Sequence, residues 1–369
     1  MRLSHRLLAL PLAALFAATV SANASESTKT LKLEMAPNGH FAVENLAGTM
    51  RVTAGTSDKV VVTATVHAES SEVADELKLE QVVNEQGLPT LRVVYPLDEH
   101  TTFRYPGSAE KGDDGWGSGW LAGWLGGSST NTKYAGQRVK VSESHGVLLY
   151  ADVAVQLPRR SVQGTFRNVV GRIDGNGVEG TLMFDSGSGD ITLDKVKGAI
   201  SADTGSGDIM AADVDGSFTG DTGSGDINLD SFESDTVKCH TGSGDVNIKA
   251  GSVGKVDVET GSGDIHVEDV DVEEVLAGTG SGSVMLETRG DRIKMVKADT
   301  GSGDVTLRLS AGATFEAMAD LGSGDIVNHY RDAEPITKNR EIVGYRRGAA
   351  RTRITVDTGS GDFVLEPGK

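Results

Sequence analysis

The stretch that decides the fold is Asp203-Thr204-Gly205-Ser206-Gly207-Asp208-Ile209, because close copies of it recur along the second half of the chain. The Gly-Ser-Gly tripeptide at its centre begins at Gly187, Gly205, Gly223, Gly242, Gly261, Gly280, Gly301, Gly322 and Gly359. Successive tripeptides start 18, 18, 19, 19, 19, 21, 21 and 37 residues apart, so the last interval holds either one degenerate turn or an inserted loop. Self-similarity at such a period indicates repeated units that stack on one another.

Aliphatic residues occupy fixed positions around each tripeptide. Counted from its first glycine, positions −5 and −3 alternate before it (Val256 and Val258), and positions +4 and +6 alternate after it (Ile265 and Val267). Alternation with a period of two is typical of strands with one buried face. The sequence therefore predicts an all-β fold, a single-stranded β-solenoid (β-helix) with turns of about 18–21 residues, preceded by less regular β turns. Cys239 falls in the −3 column, so we expect a buried thiol rather than a reactive one.

Composition narrows the possible functions. The net charge of −18 argues against a nucleic-acid-binding protein, because phosphates require lysine and arginine. A single cysteine cannot form an internal disulfide or a zinc cluster. The chain holds 48 glycines and only 5% aromatic residues, which suits tight turns around a narrow core.

The first residues read as an export signal. Arg2 and Arg6 precede an apolar run over residues 7–20, and Ala22-Asn23-Ala24 supplies a cleavage pattern. The run is shorter than the ~20 residues that a membrane-spanning helix needs. We therefore expect an exported protein of the periplasm, cell surface or extracellular space, with no transmembrane segment in the mature chain; an uncleaved anchor is the alternative.

The whole sequence divides into five segments according to how regularly its strand pattern repeats. The predicted order is a signal peptide (1–24), an N-terminal β region (25–99), a glycine- and tryptophan-rich insertion (100–137), a β entry (138–180), and solenoid repeats (181–369) with a basic insertion (329–353). Asn45-Leu46-Ala47-Gly48 and Asn168-Val169-Val170-Gly171 read as degenerate copies of the Gly-Ser-Gly corner.

Several of these motifs are similar to those of a known family. Asn45-Leu46-Ala47-Gly48, the segment Val155-Gln156-Leu157-Pro158 and the Thr-Gly-Ser-Gly-Asp-Ile repeats resemble the bacterial putative-adhesin family of β-strand-repeat envelope proteins. The resemblance implies a non-catalytic surface or periplasmic protein, and some relatives are linked to envelope-stress sensing. It supplies no catalytic residues.

Acidic residues form two further columns. At −2 stand Asp185, Asp203, Asp221, Glu259, Asp299, Asp320 and Asp357, and at +3 stand Asp190, Asp208, Asp226, Asp245, Asp264, Asp304, Asp325 and Asp362. Stacked carboxylates repel one another unless something compensates them. Either they accept N–H bonds from the glycine-rich turn, or they bind Ca²⁺ or a cationic peptide. The pairs considered for cations are Asp185/Asp190, Asp203/Asp208, Asp221/Asp226, Asp299/Asp304 and Asp357/Asp362.

Three tryptophans are four residues apart inside the first insertion, at Trp116, Trp120 and Trp124. Either this segment folds back over the stack, or it presents an aromatic patch to a glycan, a membrane surface or an envelope protein.

A string that matches a catalytic motif is explained by the repeat. Asp-Thr-Gly-Ser at Asp203, Asp221, Asp299 and Asp357 matches the aspartic-protease string, but it recurs at the turn period. The favoured function is thus an adhesin-like or scaffold protein that is not an enzyme and has no cofactor. The alternatives are an envelope-stress or cation-binding module and, more weakly, a polysaccharide-active β-helix enzyme.

Overall fold

The computed structural model describes residues 26–106 and 129–368, and nearly all of their regular structure is β-strand. The N-terminal elements are β1 (Ser27–Met35), β2 (His40–Ala47), β3 (Met50–Ala54), β4 (Val60–Ala68), α1 (Ser71–Glu76), β5 (Lys78–Val83), β6 (Pro89–Val94), β7 (Thr102–Arg104), β8 (Ser129–Tyr134), β9 (Gln137–Ser142) and β10 (Val147–Leu157). Within these described residues, no helix is long and apolar enough to cross a membrane.

The repeat region continues this series. Its strands are β11 (Val162–Val170), β12 (Ile173–Asn176), β13 (Glu179–Ser188), β14 (Ile191–Thr204), β15 (Ile209–Asp215), β16 (Phe218–Thr222), β17 (Ile227–Thr241), β18 (Val246–Thr260), β19 (Ile265–Thr279), β20 (Val284–Thr288), β21 (Met295–Thr300), β22 (Val305–Leu309), β23 (Phe315–Leu321), β24 (Ile326–Asn328), β25 (Glu334–Lys338), β26 (Glu341–Arg347), β27 (Thr352–Thr358) and β28 (Phe363–Pro367).

Two ladders of strands run the length of the molecule, one on each side of the Gly-Ser-Gly corners. Strands that lead into a corner form the incoming ladder, in the order β5-β6-β2-β11-β13-β14-β16-β17-β18-β19-β21-β27-β23-β26-β25. Strands that leave a corner form the outgoing ladder, in the order β1-β4-β10-β3-β12-β14-β15-β17-β18-β19-β20-β22-β28-β24. One turn of the chain, called a rung below, contributes to both.

The predicted inward columns form the core. Val256 pairs with Val275 in the next rung, Ile265 pairs with Val284, and all four side chains are buried. Cys239 is also buried, and the loss of hydration raises the pKa of its thiol to about 12. The prediction of an all-β solenoid is confirmed.

Glycine is required at the corner because the rungs approach closely there. Gly244 has a φ of +151°, and a Cβ atom at this position would overlap the carbonyl oxygen of Gly225 in the preceding rung. Neither the backbone angle nor the space would admit a side chain.

A second bend lies after position +6, and its residues are not glycines. Left-handed φ values of 52–56° occur at Lys195, Asp213, Ser231, Ala250 and Asp269, which are equivalent positions of successive rungs. This bend turns each rung back toward its next incoming strand.

The last rungs do not follow chain order. β27 pairs with β21 on one side and β23 on the other, and β28 likewise pairs with β22 and β24. The C-terminal rung is therefore inserted between two earlier ones. The antiparallel hairpin β25–β26 occupies the long interval before it and covers the edge of β23.

Candidate functional site

The +3 carboxylates connect one rung to the next. Each Oδ1 accepts the backbone N–H of the equivalent residue in the following rung: Asp190 from Asp208 (3.0 Å), Asp208 from Asp226 (2.9 Å), Asp226 from Asp245 (2.8 Å), Asp245 from Asp264 (2.8 Å), Asp304 from Asp362 (2.8 Å) and Asp362 from Asp325 (2.9 Å). The donor thus belongs to the neighbouring corner rather than to the same turn. We call this arrangement the aspartate lock.

One rung lacks an aspartate but keeps the connection. The N–H of Ser283 donates to Asp264 at 2.7 Å, while the Ser283 hydroxyl accepts the N–H of Asp304 at 3.3 Å. The longer distance to a neutral acceptor makes this the weakest step of the lock.

The −2 acids form a separate stack on the outer face of the incoming ladder. Asp185, Asp203 and Asp221 are in direct register, and so are Asp299, Asp357 and Asp320. Asp185 has a cation nearby, with Arg167 Nε 3.6 Å from its Oδ2. Partial loss of hydration, then repulsion from Asp185 and Asp221, raises the pKa of Asp203. The strand register therefore keeps these carboxylates next to one another although they repel.

Neither acidic column brings several ligand atoms together at one point. Among residues 26–106 and 129–368, the group of three acidic or histidine side chains with ligand atoms within 4.8 Å is Glu76, Glu99 and His100. Cation binding by Asp185/Asp190, Asp203/Asp208 and their equivalents stays a prediction.

A column of threonines at position −1 was missed by the sequence reasoning. Seven buried threonines each donate their hydroxyl to the carbonyl of the second Gly-Ser-Gly glycine in the preceding rung, at 2.9–3.3 Å: Thr204, Thr222, Thr241, Thr260, Thr279, Thr300 and Thr358. The signal was present, because seven of the nine tripeptides follow a threonine.

His67 is held between two carboxylates on the outer face of β4. Its Nδ1 lies 3.0 Å from Glu26 and its Nε2 lies 3.1 Å from Asp152, while the ring stacks on Tyr150 with centroids 4.6 Å apart. The interaction with Asp152, against partial burial, raises the pKa of His67. Burial opposes ionisation of Asp152, but hydrogen bonds from His67 and Thr49 prevail and lower its pKa.

This cluster does not activate a nucleophile. The Thr49 hydroxyl and N–H both donate to Asp152 Oδ1 at 2.8 Å, so the hydroxyl is bound to the carboxylate and not to the imidazole. A nucleophilic triad needs the hydroxyl against the imidazole. The cluster instead ties the beginning of β1 to β4 and β10.

The outgoing ladder presents a polar face to solvent. The Asn247 amide Nδ2 donates to Asn228 Oδ1 at 3.1 Å, and His266 Nδ1 lies 3.3 Å from Asn247 Oδ1. These side chains lie beside a shallow cavity of about 530 Å³, next to Met210, which is 43% exposed. The predicted tryptophans Trp116, Trp120 and Trp124 lie outside the described residues.

The repeated corners and their two strand ladders are the features by which the chain can be compared with known proteins. Residues 216–366 match the family Toastrack DUF4097. The resemblance to an adhesin-like β-strand-repeat family is confirmed. No curated protein matches the sequence.

Three crystal structures show a distant likeness. A putative cell adhesion protein from Clostridium sporogenes is 9% identical, with 93% of this chain and 100% of that chain covered and a TM-score of 0.20. A putative adhesin from Parabacteroides distasonis is 12% identical, with 92% and 98% covered and a TM-score of 0.38. A putative adhesin from Parabacteroides merdae is 10% identical, with 93% and 96% covered and a TM-score of 0.28.

Proposed function

We propose that the protein is exported and acts in the bacterial cell envelope as a non-catalytic, adhesin-like scaffold. Its partners would be envelope proteins or glycans that bind along the outer faces of the solenoid. The observation that carries the proposal is the aspartate lock, because the most conspicuous acidic residues of the repeats are hydrogen-bonded between rungs, as Asp226 is to the N–H of Asp245. A stack fastened in this way suits a rigid platform rather than a reaction centre.

The outer faces support binding to extended partners. Strands of successive rungs repeat at ~4.8 Å, so side chains such as Asn228 and Asn247 recur along the stack and could contact a polymer at several points. Contacts that are weak one by one become strong when they are linked along one ligand.

The −2 stack supports a second candidate, a module that binds cations or cationic peptides. Partial loss of hydration, then repulsion from the neighbouring Asp185 and Asp221 carboxylates, raises the pKa of Asp203. A basic peptide laid along Asp185, Asp203 and Asp221 would relieve that repulsion.

One co-sedimentation experiment tests both candidates. Purified mature protein is incubated with isolated bacterial envelopes, with and without a chelator, and the bound fraction is measured after centrifugation. The scaffold proposal expects binding that survives the chelator. Binding that is lost with the chelator favours the cation module, and absence of binding in both conditions overturns the scaffold proposal.

A further inference from the structure

A small sheet at the N-terminal end of the molecule has a distinct outer face. Its central strand β9 pairs in parallel with β7 and antiparallel with β8. Phe103, Tyr134, Val139 and Val141 are buried beneath it. The alternate residues of the three strands therefore face outward.

The outward side chains include four cations, Arg104, Lys133, Arg138 and Lys140. Within the described residues, none of these four side chains forms an ion pair with an Asp or Glu oxygen within 4.0 Å. Several other cations of this acidic chain are closely paired, for example Arg92 with Glu44 at 2.7 Å and Arg308 with Glu366 at 2.7 Å. Here four cations without such a partner lie together on one face of a small sheet.

The register brings the cations close to one another. Lys133 is directly opposite Arg138, and Lys140 follows two residues along the same strand as Arg138. Neighbouring strands are ~4.8 Å apart and alternate residues of a strand are ~6.6 Å apart. Like charges directly opposite each other destabilise a sheet. An anion lying across the strands would remove this cost.

Three of these cations line a shallow trough that also carries neutral hydrogen-bonding groups. The trough has a volume of about 540 Å³, and Lys133, Arg138, Lys140, Asn131 and Thr102 line it. Asn131 and Thr102 are opposite Lys140 on its two sides. An amide and a hydroxyl placed between charged groups can bind the hydroxyls of a sugar while the cations bind its acidic substituents.

We propose that this face binds an anionic polysaccharide. The inference deepens the proposed function, on which it rests for the exported location, by naming a ligand class and a site. A membrane surface fits less well because the trough lacks, among the described residues, an exposed large apolar side chain that could enter the lipid. A nucleic acid fits less well because the described lining of the trough has no aromatic side chain on which a base could stack.

The test measures binding of dextran sulfate to the purified mature protein by calorimetry, beside uncharged dextran, phosphatidylglycerol vesicles and duplex DNA. The test variant is K133Q/R138Q/K140Q, which keeps polar side chains of similar length. The matched control is K338Q/R340Q/R351Q, which removes the same charge from exposed positions of the C-terminal insertion.

We expect wild type to bind dextran sulfate but not dextran, and added NaCl to weaken the binding. The test variant should bind roughly 30-fold more weakly, at about threefold for each exposed ion pair lost, and the control less than about threefold more weakly. The thermal midpoint of the ligand-free test variant should not fall, since a like-charge contact has been removed.

Equal affinities of wild type and test variant, or an equal loss in the control, would overturn the inference. Tighter binding to vesicles or DNA than to dextran sulfate would also overturn it. Envelope sedimentation without dextran sulfate binding would contradict this site and leave the scaffold proposal standing. Dextran sulfate binding through these cations without envelope sedimentation would support this site and contradict the scaffold proposal.

Discussion

Replacing Asp245 by alanine tests the energetic role of the aspartate lock. The carboxylate of Asp245 accepts the N–H of Asp264 at 2.8 Å in a partly buried corner. Alanine leaves that N–H without its acceptor, and losing a hydrogen bond to a charged group costs about 1.5–3 kcal/mol. We therefore expect Asp245→Ala to lower the free energy of unfolding by about 2 kcal/mol. At ~1–2 °C per kcal/mol for a chain of this length, the thermal midpoint should fall by roughly 2–4 °C.

Asp245→Asn is the matched control, because its amide oxygen still accepts the same N–H while the charge is removed. Urea unfolding followed by far-UV circular dichroism should show a loss of less than about 1 kcal/mol for this variant. The complementary change Ser283→Asp should raise stability by about 0.5–1 kcal/mol, because it places a charged acceptor where the Ser283 hydroxyl now accepts at 3.3 Å. If alanine and asparagine at position 245 cost the same, the hydrogen bond is not what fastens the rungs.

Four further predictions concern the other side chains described above. Asp203→Asn should raise the thermal midpoint at about pH 7 and have no effect below about pH 3.9, because the raised pKa of Asp203 makes its ionised form unfavourable in the folded state. A thermal midpoint that falls at neutral pH would contradict the repulsion. The raised pKa of His67 gives stability that is fully present below about pH 6.5 and is lost as pH rises through the folded value, so His67→Gln should destabilise in urea unfolding at about pH 6 and much less at about pH 9. Val256→Asp should lower the free energy of unfolding by several kcal/mol, because the side chain is fully buried. Thr260→Ala should lower it by about 1–2 kcal/mol, the value of the hydrogen bond from Thr260 to Gly244. Equal shifts of the thermal midpoint would refute the assignment of the inward columns. If the acids bind Ca²⁺, millimolar CaCl₂ should raise the thermal midpoint more than NaCl of equal ionic strength. The double variant Asp203→Asn with Asp208→Asn should reduce that increment. Identical responses to both salts would mean that the ions act only by screening charge.

The buried columns could be predicted because the same alternation appears in every rung. Val256 and Ile265 are apolar at positions where polar residues flank them, and repetition removes the ambiguity that a single short strand would have. Asn45 and Asn168 begin the two segments that the sequence marks as degenerate corners, and in the structure Asn45 Nδ2 donates to Asn168 Oδ1 at 3.0 Å.

Other features could not be predicted, for physical reasons. The left-handed bend at Ala250 has no glycine or asparagine to mark it, because tertiary pairing on both sides imposes the angle. β27 pairs between β21 and β23. The repeats are so alike that each could pair with any other, so the sequence does not specify the order in which the strands are stacked. The contacts of His67 join residues far apart in sequence, with no motif around any of them.

The central claim is that the +3 carboxylates fasten neighbouring corners without a bound cation, and amide hydrogen exchange at the corners tests it most directly. In wild-type protein with a chelator present, the N–H groups of Asp226, Asp245 and Asp264 should exchange slowly although their corners face solvent, since each donates to the preceding carboxylate. In Asp245→Ala, the N–H of Asp264 should lose this protection while the N–H of residue 245 keeps it. Fast exchange at all three N–H groups, or protection that appears only when Ca²⁺ is added, would contradict the claim.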